Sequence, residues 1–498
     1  MQKLLEEIKS HKLIYILLLI TLIGAIFVRI YNTKEILGFY YDQGRDALVI
    51  WNFIHKGDWF LVGPTTGIEG ILRGPWYYWL ILPFYFLGGG NPVWPANFLA
   101  ITTVVAIIVL YIIGKEIFGR VTGLIAATIA SFSYYLLVAS RWLSNPTPML
   151  LISMLLVMSL LLITKGKKYA WVFVAILLGL AMQFGSATEA FYIPVVGLFA
   201  IWQRKNLPNK KILLISIAAG LVVFLPQIIF DFVKGGVLTS AIKKFLLEEG
   251  SFKLSFWEII KIRLSFYWEM FSFKIWTGQD PKFIAFFLTS FSLIVFNFKE
   301  LWKKDGFKIL ILLGIAPLIG MIFFQGNEGN VFDYYFTGYY LIYILIFSVG
   351  LGFLAKNKLG ILVLILFFFL FFKTHLPVVK SYLINGRSNV GLKEQVQAID
   401  WIYKDSVLAS SAYKDSGFNV DVYVPPVIPY AYDYLFLWKA QEYKKSPLTQ
   451  DTNLLYTLYE EDIPKRLDPW LVRQSKIAKI NEEASFRGIT VQRRQRYK

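Results

Sequence analysis

Runs of about fifteen to twenty nearly uncharged residues recur along most of this chain, separated by short polar breaks. That length matches the hydrocarbon core of a bilayer, so the pattern predicts membrane-spanning helices. Spans are expected near 13–30, 94–113, 121–138 and 148–164. Two more flank FGSATEAFYIP (184–194), and five follow near 212–230, 283–297, 308–324, 338–354 and 359–373. The first run is too long for a secretory h-region and lacks a small-residue cleavage site after it, so it reads as a span. Two stretches break the rhythm. Residues 31–93 mix aromatic and turn-forming residues, as in GDWFLVGPTTGIEG, which suits short helices lying in the membrane interface. Residues 231–282 form a second long loop, in which WEIIKIRLSFYWEMF reads as an amphipathic helix.

From about residue 380 the texture changes. GLKEQVQAIDWIYKD (391–405) has helical apolar spacing, and NVDVYV (419–424) alternates like a strand. Turn signals stand at NGRSN (385–389), KDSGFN (414–419) and VPPVIP (424–429). The expectation is a polytopic α-helical membrane protein of about eleven spans, with interfacial helices in the first loop. A small C-terminal α/β domain, 376–498, would follow the membrane region 1–375, and its basic tail RRQRYK would fray.

Composition narrows the chemistry. The chain has 498 residues, 56% of them hydrophobic, and a formal charge of +18. Much of that excess sits in short breaks such as GKEIFGR, KGKK, QRKNLPNKK, KELWKKDGFK and AKNK. Basic short loops mark the cytoplasmic side, so the charge reports membrane orientation and not nucleic-acid binding. Threaded by this rule, the N-terminus, with Lys3, Lys9 and Lys12, is inside, and residues 31–93, 231–282 and the C-terminal domain lie outside the cytoplasmic membrane. The outside loops then hold most of the acids before residue 375, among them Asp58, Glu69, Asp231, Glu248, Glu249, Glu269, Asp280 and Glu328. There is no cysteine, which excludes disulfides, thiolate catalysis and Cys-based zinc. His11, His55 and His375 are far apart, which argues against a His-rich metal site or a His-based triad.

The stretch GFYYDQGRDALVIW (38–51) places Asp42, Arg45 and Asp46 on one face if it is helical, because i, i+3 and i+4 are neighbours. Ala47, Ile50, Trp51 and Ile54 then face lipid or protein. The plain reading is a solvated face with an ordinary ion pair. The functional reading is a carboxylate held at the membrane surface, where ionisable groups often mark a reaction path. Other candidates each have a plain alternative. Arg73 could be a snorkelling cation before GPWYYWL, and Arg141 could bind a helical carbonyl. Glu189 could be a solvated turn acid, and Asp333 and Tyr334, in FDYYF, part of an aromatic belt. Asp42 and Asp46 could hold a divalent ion, a question that two carboxylates leave open.

In order, YYDQGRDA, KGDWF, GPWYYWL, IGKEIFGRVTGLIAA and SRWLSNPTPMLL resemble the motifs of the GT-C glycosyltransferases, membrane enzymes that use lipid-linked sugars. The resemblance is to the bacterial branch similar to protein O-mannosyltransferases and aminoarabinose transferases, and it spans roughly residues 10–375. It implies a GT-C fold and assigns Asp42 as the catalytic carboxylate of the first loop, accepting the proton of the acceptor hydroxyl or orienting that group. It implies an inverting transfer from a polyprenyl-phosphate-linked sugar to a lipid, glycan or protein acceptor, with membrane lipids as further partners. Arg45, Arg73 and Arg141 are its candidate phosphate contacts, and Tyr77 and Tyr78 belong to its YYWL-type motif. Aminoarabinose transferases carry Lys where Gly74 stands, which leaves the sugar open. Some members of the superfamily use a metal and others do not. Two alternatives compete: a lipid-linked saccharide flippase, and an O-antigen-type ligase or polymerase built on the 231–282 loop. A flippase predicts internal repeats or charges near helix midpoints, whereas here no clear repeat is seen and the acids sit in loops.

Overall fold

The structure is a computed structural model that describes residues 2–248, 255–276, 280–324, 329–386, 390–413, 417–425 and 428–497. Glu249 and Glu328, and parts of the three C-terminal turn signals, lie outside the described residues. Every expected apolar run is largely helical, and one of them is split between two helices. The chain begins with α1 (Gln2–Ser10), α2 (Lys12–Ile30), α3 (Thr33–Ile36), α4 (Tyr41–Lys56), α5 (Trp76–Leu87) and α6 (Val93–Phe118). It continues with α7 (Arg120–Phe132), α8 (Tyr134–Ser140), α9 (Met149–Thr164), α10 (Ala170–Phe184), α11 (Tyr192–Trp202) and α12 (Lys210–Val233). Then come α13 (Val237–Glu248), α14 (Phe256–Ile275), α15 (Pro281–Phe296), α16 (Phe298–Leu301), α17 (Asp305–Gly320), α18 (Tyr340–Leu354) and α19 (Lys358–Asn385). The C-terminal segment carries α20 (Leu392–Tyr413), α21 (Tyr430–Tyr443) and α22 (Pro464–Ile477).

By length and composition, five helical stretches among the described residues could cross a membrane, and a sixth if α7 and α8 count as one bent span. This is a multi-pass membrane protein. The α18 stretch is 78% buried, whereas α12 is only 17% buried, so the first packs inside protein and the second offers an apolar surface to lipid. Small residues let the helices meet closely. A Cβ on Gly350 would lie 2.1 Å from Ser290 Oγ, and one on Gly114 would lie 2.8 Å from the Gly123 Cα. Leu301, Phe307 and Val349 fill a buried cluster, with Phe118 and Phe353 packed against it.

The expected single span 121–138 is broken. α7 and α8 meet at Ser133 with a bend of 70°. There Tyr134 N–H donates to His375 Nδ1 and Ser133 Oγ–H donates to the Lys274 carbonyl, so side chains take over from the helical ladder. The last apolar run also differs: α19 continues past 375 to Asn385 and carries Pro377 within it.

The chain divides into two compact units. The first comprises residues 1–31, 61–80 and 97–381, and the second 32–60, 81–96 and 382–498. The second unit therefore gathers α3 and α4 from the early loop together with the C-terminal segment, which a linear division at 375 does not anticipate. Its sheet has the order β1-β2-β4-β3, with β1 (Asn419–Tyr423), β2 (Leu454–Glu460), β3 (Ala478–Phe486) and β4 (Ile489–Arg496). β1 and β2 are parallel and the other pairs antiparallel. The start of the tail RRQRYK does not fray: Arg493–Arg496 form the second half of β4, an inner strand, and Lys498 lies outside the described residues. Arg494 Nε donates to Thr457 Oγ1 at 3.1 Å, and Arg493 pairs with Asp405 at 2.7 Å. Ladder pairing and these buried partners hold a stretch whose charge alone suggested solvent.

Candidate active site

In the second unit, α4 is capped at its N-terminus by Gln43, whose Oε1 accepts from the backbone N–H of Tyr40 at 3.0 Å. It ends at Gly57, whose φ of 75° is the left-handed cap that glycine adopts freely. As the spacing predicts, Asp42, Arg45 and Asp46 share one face. The guanidinium lies between the two acids: Nη1 is 3.0 Å from Asp42 Oδ1, while Nε and Nη2 are 3.0 and 2.8 Å from Asp46 Oδ1. The Asp42 side chain is 61% exposed, Arg45 18% and Asp46 7%. The opposite, apolar face meets protein. Ala47, Ile50 and Trp51 are buried, and the Trp51 ring meets Tyr434 of α21 edge-on at 5.8 Å. Gly44 lies against α21 so closely that a Cβ would stand 2.2 Å from Ala431 N.

No group of three or more His, Cys, Asp or Glu gathers among the described residues in a way that could hold a metal ion. Asp42 and Asp46 both direct an oxygen at Arg45, so the guanidinium takes the place a bridging cation would need.

The first unit holds the other candidates. Arg73 is half-buried in a loop where its carbonyl accepts from Gly63 N–H and its N–H donates to the Pro64 carbonyl. The next residue, Gly74, donates its N–H to Gln183 Oε1; Gln183 donates to Gln227, and Gln227 to the Leu72 carbonyl. A Cβ on Gly74 would meet Gln183 Oε1 at 2.1 Å, so this chain of amides fills the room a larger side chain would need. Trp76 Nε1–H donates to the Val223 carbonyl of α12. Tyr77 and Tyr78 are buried, with ring centroids 6.1 Å apart.

Arg141 is buried and donates to the carbonyls of Val28 and Tyr31 at the C-terminal end of α2, at 2.6 and 2.8 Å. Arg29 does the reciprocal job, donating to the carbonyls of Ala130 and Ser131 at the end of α7. Each guanidinium thus satisfies carbonyls that a helix end leaves free.

Glu189 is not a solvated turn acid. It is fully buried in the 3₁₀ turn Ala187–Phe191, accepting from Ser186 N–H at 2.6 Å, Thr188 Oγ1–H at 3.2 Å and Gly338 N–H at 3.2 Å. It joins this turn to a second 3₁₀ turn, Asp333–Tyr339. Asp333 opens that turn with its side chain 61% exposed and pairs with Lys274 Nζ at 3.0 Å. Lys274 itself is only 6% exposed, and its ammonium lies 4.4 Å from the centre of the Tyr340 ring. Tyr334 packs on Phe332 and meets Trp142 at 5.9 Å.

Sequence reasoning missed Lys274. Its one local signal is a single charge inside the aromatic run FSFKIW. A charge enclosed by apolar residues requires a partner, and that partner comes from a turn 59 residues later.

Set beside known proteins, the chain has relatives by fold and by family model. It has the fold of the GT-C membrane glycosyltransferases. Within it, residues 73–230 match the model of the dolichyl-phosphate-mannose-protein mannosyltransferase family. ArnT from Cupriavidus metallidurans in the apo state superposes with a TM-score of 0.59 at 11% identity, over 97% of this chain and 98% of that one. The same protein bound to undecaprenyl phosphate gives 0.57 at 11% identity, with the same coverage. The Archaeoglobus fulgidus oligosaccharyltransferase, tethered to an acceptor peptide containing an NVT sequon, gives 0.51 at 13% identity over 95% of this chain and 73% of that one. No curated protein matches the chain.

Proposed function

We propose that this chain is an inverting glycosyltransferase that moves a hexosyl or pentosyl group from a polyprenyl-phosphate donor to an acceptor hydroxyl at the outer face of the cytoplasmic membrane. The observation that carries this reading is the exposed Asp42 carboxylate on the first turn of α4, in a chain with the fold of a protein that binds undecaprenyl phosphate. In the proposed step Asp42 accepts the proton of the acceptor hydroxyl. The hydroxyl oxygen bonds to the anomeric carbon as the bond from that carbon to the phosphate oxygen breaks. Polyprenyl phosphate leaves with the electron pair, and a single displacement inverts the anomeric centre. A carboxylate in hydrogen-bond reach is sufficient for general-base help.

The leaving phosphate needs positive charge and donors. Lys274 suits that need: of its three N–H donors, one serves Asp333, and the others have no acceptor among the described residues. Arg73 is the second cation assigned to the donor, with Tyr77, Tyr78 and Tyr334 as further candidate contacts. Arg141 and Glu189 are assigned to holding the helix ends and turns around it. An apolar groove of about 380 Å³, lined by Trp76, Trp79, Leu151, Leu155, Leu180 and Phe184, suits a segment of the prenyl chain. The proposed topology has eleven spans, the N-terminus inside, and the first loop and C-terminal domain outside, as the positive-inside rule supports. The acceptor is a lipid, glycan or protein hydroxyl.

The test is turnover of a polyprenyl-phosphate-linked sugar by purified protein in detergent, where a flippase has no compartments to work between. Asp42→Asn is expected to lower transfer about 1000-fold while the unfolding temperature stays the same. Full transfer by that variant would falsify the reading.

A further inference from the structure

We infer that Asp46 is a positioning residue: it fixes the plane of the Arg45 guanidinium and, through it, the carboxylate of Asp42. This rests on the reading of Asp42 given above. The three side chains form a chain of constraint that runs from buried to exposed. Asp46, 7% exposed, accepts from two nitrogens of one guanidinium, Nε at 3.0 Å and Nη2 at 2.8 Å. Both bonds end on one oxygen, Asp46 Oδ1, which holds the Nε–Nη2 edge, and the covalent link at Nε then sets where the third nitrogen falls. That third nitrogen, Nη1, meets Asp42 Oδ1 at 3.0 Å. With most of its side chain in the open, Asp42 has little packing to choose its rotamer, and the ion pair supplies the order.

The backbone beneath them is held independently. A Cβ on Gly44 would collide with the backbone of Ala431, and Tyr41 packs on Tyr430 with centroids 4.9 Å apart. The helix end therefore cannot shift to compensate if Asp46 is lost.

The experiment compares Asp46→Asn, Asp46→Glu, Arg45→Lys and Asp42→Asn in the detergent transfer assay, with unfolding temperature measured for each. Asp46→Asn keeps the shape of the side chain and removes its charge, which guards against simple misfolding. It is expected to lower kcat by about 10- to 100-fold, the scale of a misplacement near 1 Å, with the KM for donor within about twofold. Arg45→Lys should behave alike, because an ammonium cannot bridge both acids as a fork. Asp46→Glu should recover part of kcat. Wild-type kcat in Asp46→Asn, a rise in KM in place of the fall in kcat, or no recovery with Asp46→Glu each overturns the inference. If Asp42→Asn is inactive while Asp46→Asn turns over normally, only this inference falls. If Asp42→Asn turns over normally, the functional reading falls and takes the inference with it.

Discussion

Arg45 in the second unit and Lys274 in the first are both cations drawn out of solvent beside an exposed aspartate, and they are partnered differently. Arg45 has a second, buried carboxylate, Asp46, behind it, so two acids share one guanidinium. Among the described residues, Lys274 has one acid, Asp333, and the face of Tyr340. A cation compensated twice by its own chain has little left for a ligand and serves to hold its partners. A buried ammonium compensated once keeps donors for an incoming anion, and its acid partner, facing solvent, can give way at little cost. The two clusters also differ in the sequence, where Arg45 stands between its two acids while Lys274 and Asp333 lie 59 residues apart, and they differ in the chemistry they can do.

The largest expected effect breaks the comparison at its first member. Asp42→Asn should lower kcat about 1000-fold, within the range for loss of a general base, read as product formed per enzyme in detergent. Next comes the second member. Lys274→Met should lower kcat/KM about 100-fold, as for loss of one charged donor to a developing anion, and Lys274→Arg should retain most of it. Unchanged turnover in Lys274→Met would reduce that residue to a structural ion pair.

A smaller effect concerns how each region is held. Gly44→Ala should cost about 1–3 kcal/mol of stability through overpacking against Ala431, seen as a lower unfolding temperature. Gly338→Ala should do the same in the other unit, where a Cβ would lie 2.6 Å from the Tyr192 hydroxyl and 2.8 Å from Glu189 Oε1. If either alanine is neutral, that region is looser than its geometry implies.

The smallest effect comes from an ion cluster with no role in the proposed reaction. Glu7 accepts from Lys115 at 2.7 Å, from the Tyr15 hydroxyl at 2.7 Å and from Arg120 at 3.1 Å. The Lys115 ammonium, helped by Tyr15, lowers its pKa from 4.5 to about 2. Because the folded value is the lower one, the stabilisation is present above about pH 4.5 and is lost as the pH falls towards 2. Glu7→Gln should remove that acid dependence in thermal unfolding and leave transfer at neutral pH unchanged.

Much of the architecture was legible in the residue pattern, because bilayer thickness and helical periodicity act on neighbours in sequence. The apolar runs mark the helices, and the i, i+3, i+4 spacing puts Asp42, Arg45 and Asp46 on one face of α4 before any packing is known. Local reading also found NVDVYV as a strand and 391–405 as part of a helix. It could not tell which charges would be buried. Arg141 reaches carbonyls 110 and 113 residues away, Glu189 accepts from a backbone N–H 149 residues away, and Tyr134 finds His375 at a separation of 241. The bend at Ser133, the burial of Lys274 and the pairing of Arg493–Arg496 into β4 all depend on such distant partners. The cost of burying a charge or a polar group is set by what surrounds it in space. The sequence by itself therefore determined where the helices run and which face of α4 carries the acids. Only the tertiary structure decided which cations are spent on holding the fold and which keep donors free.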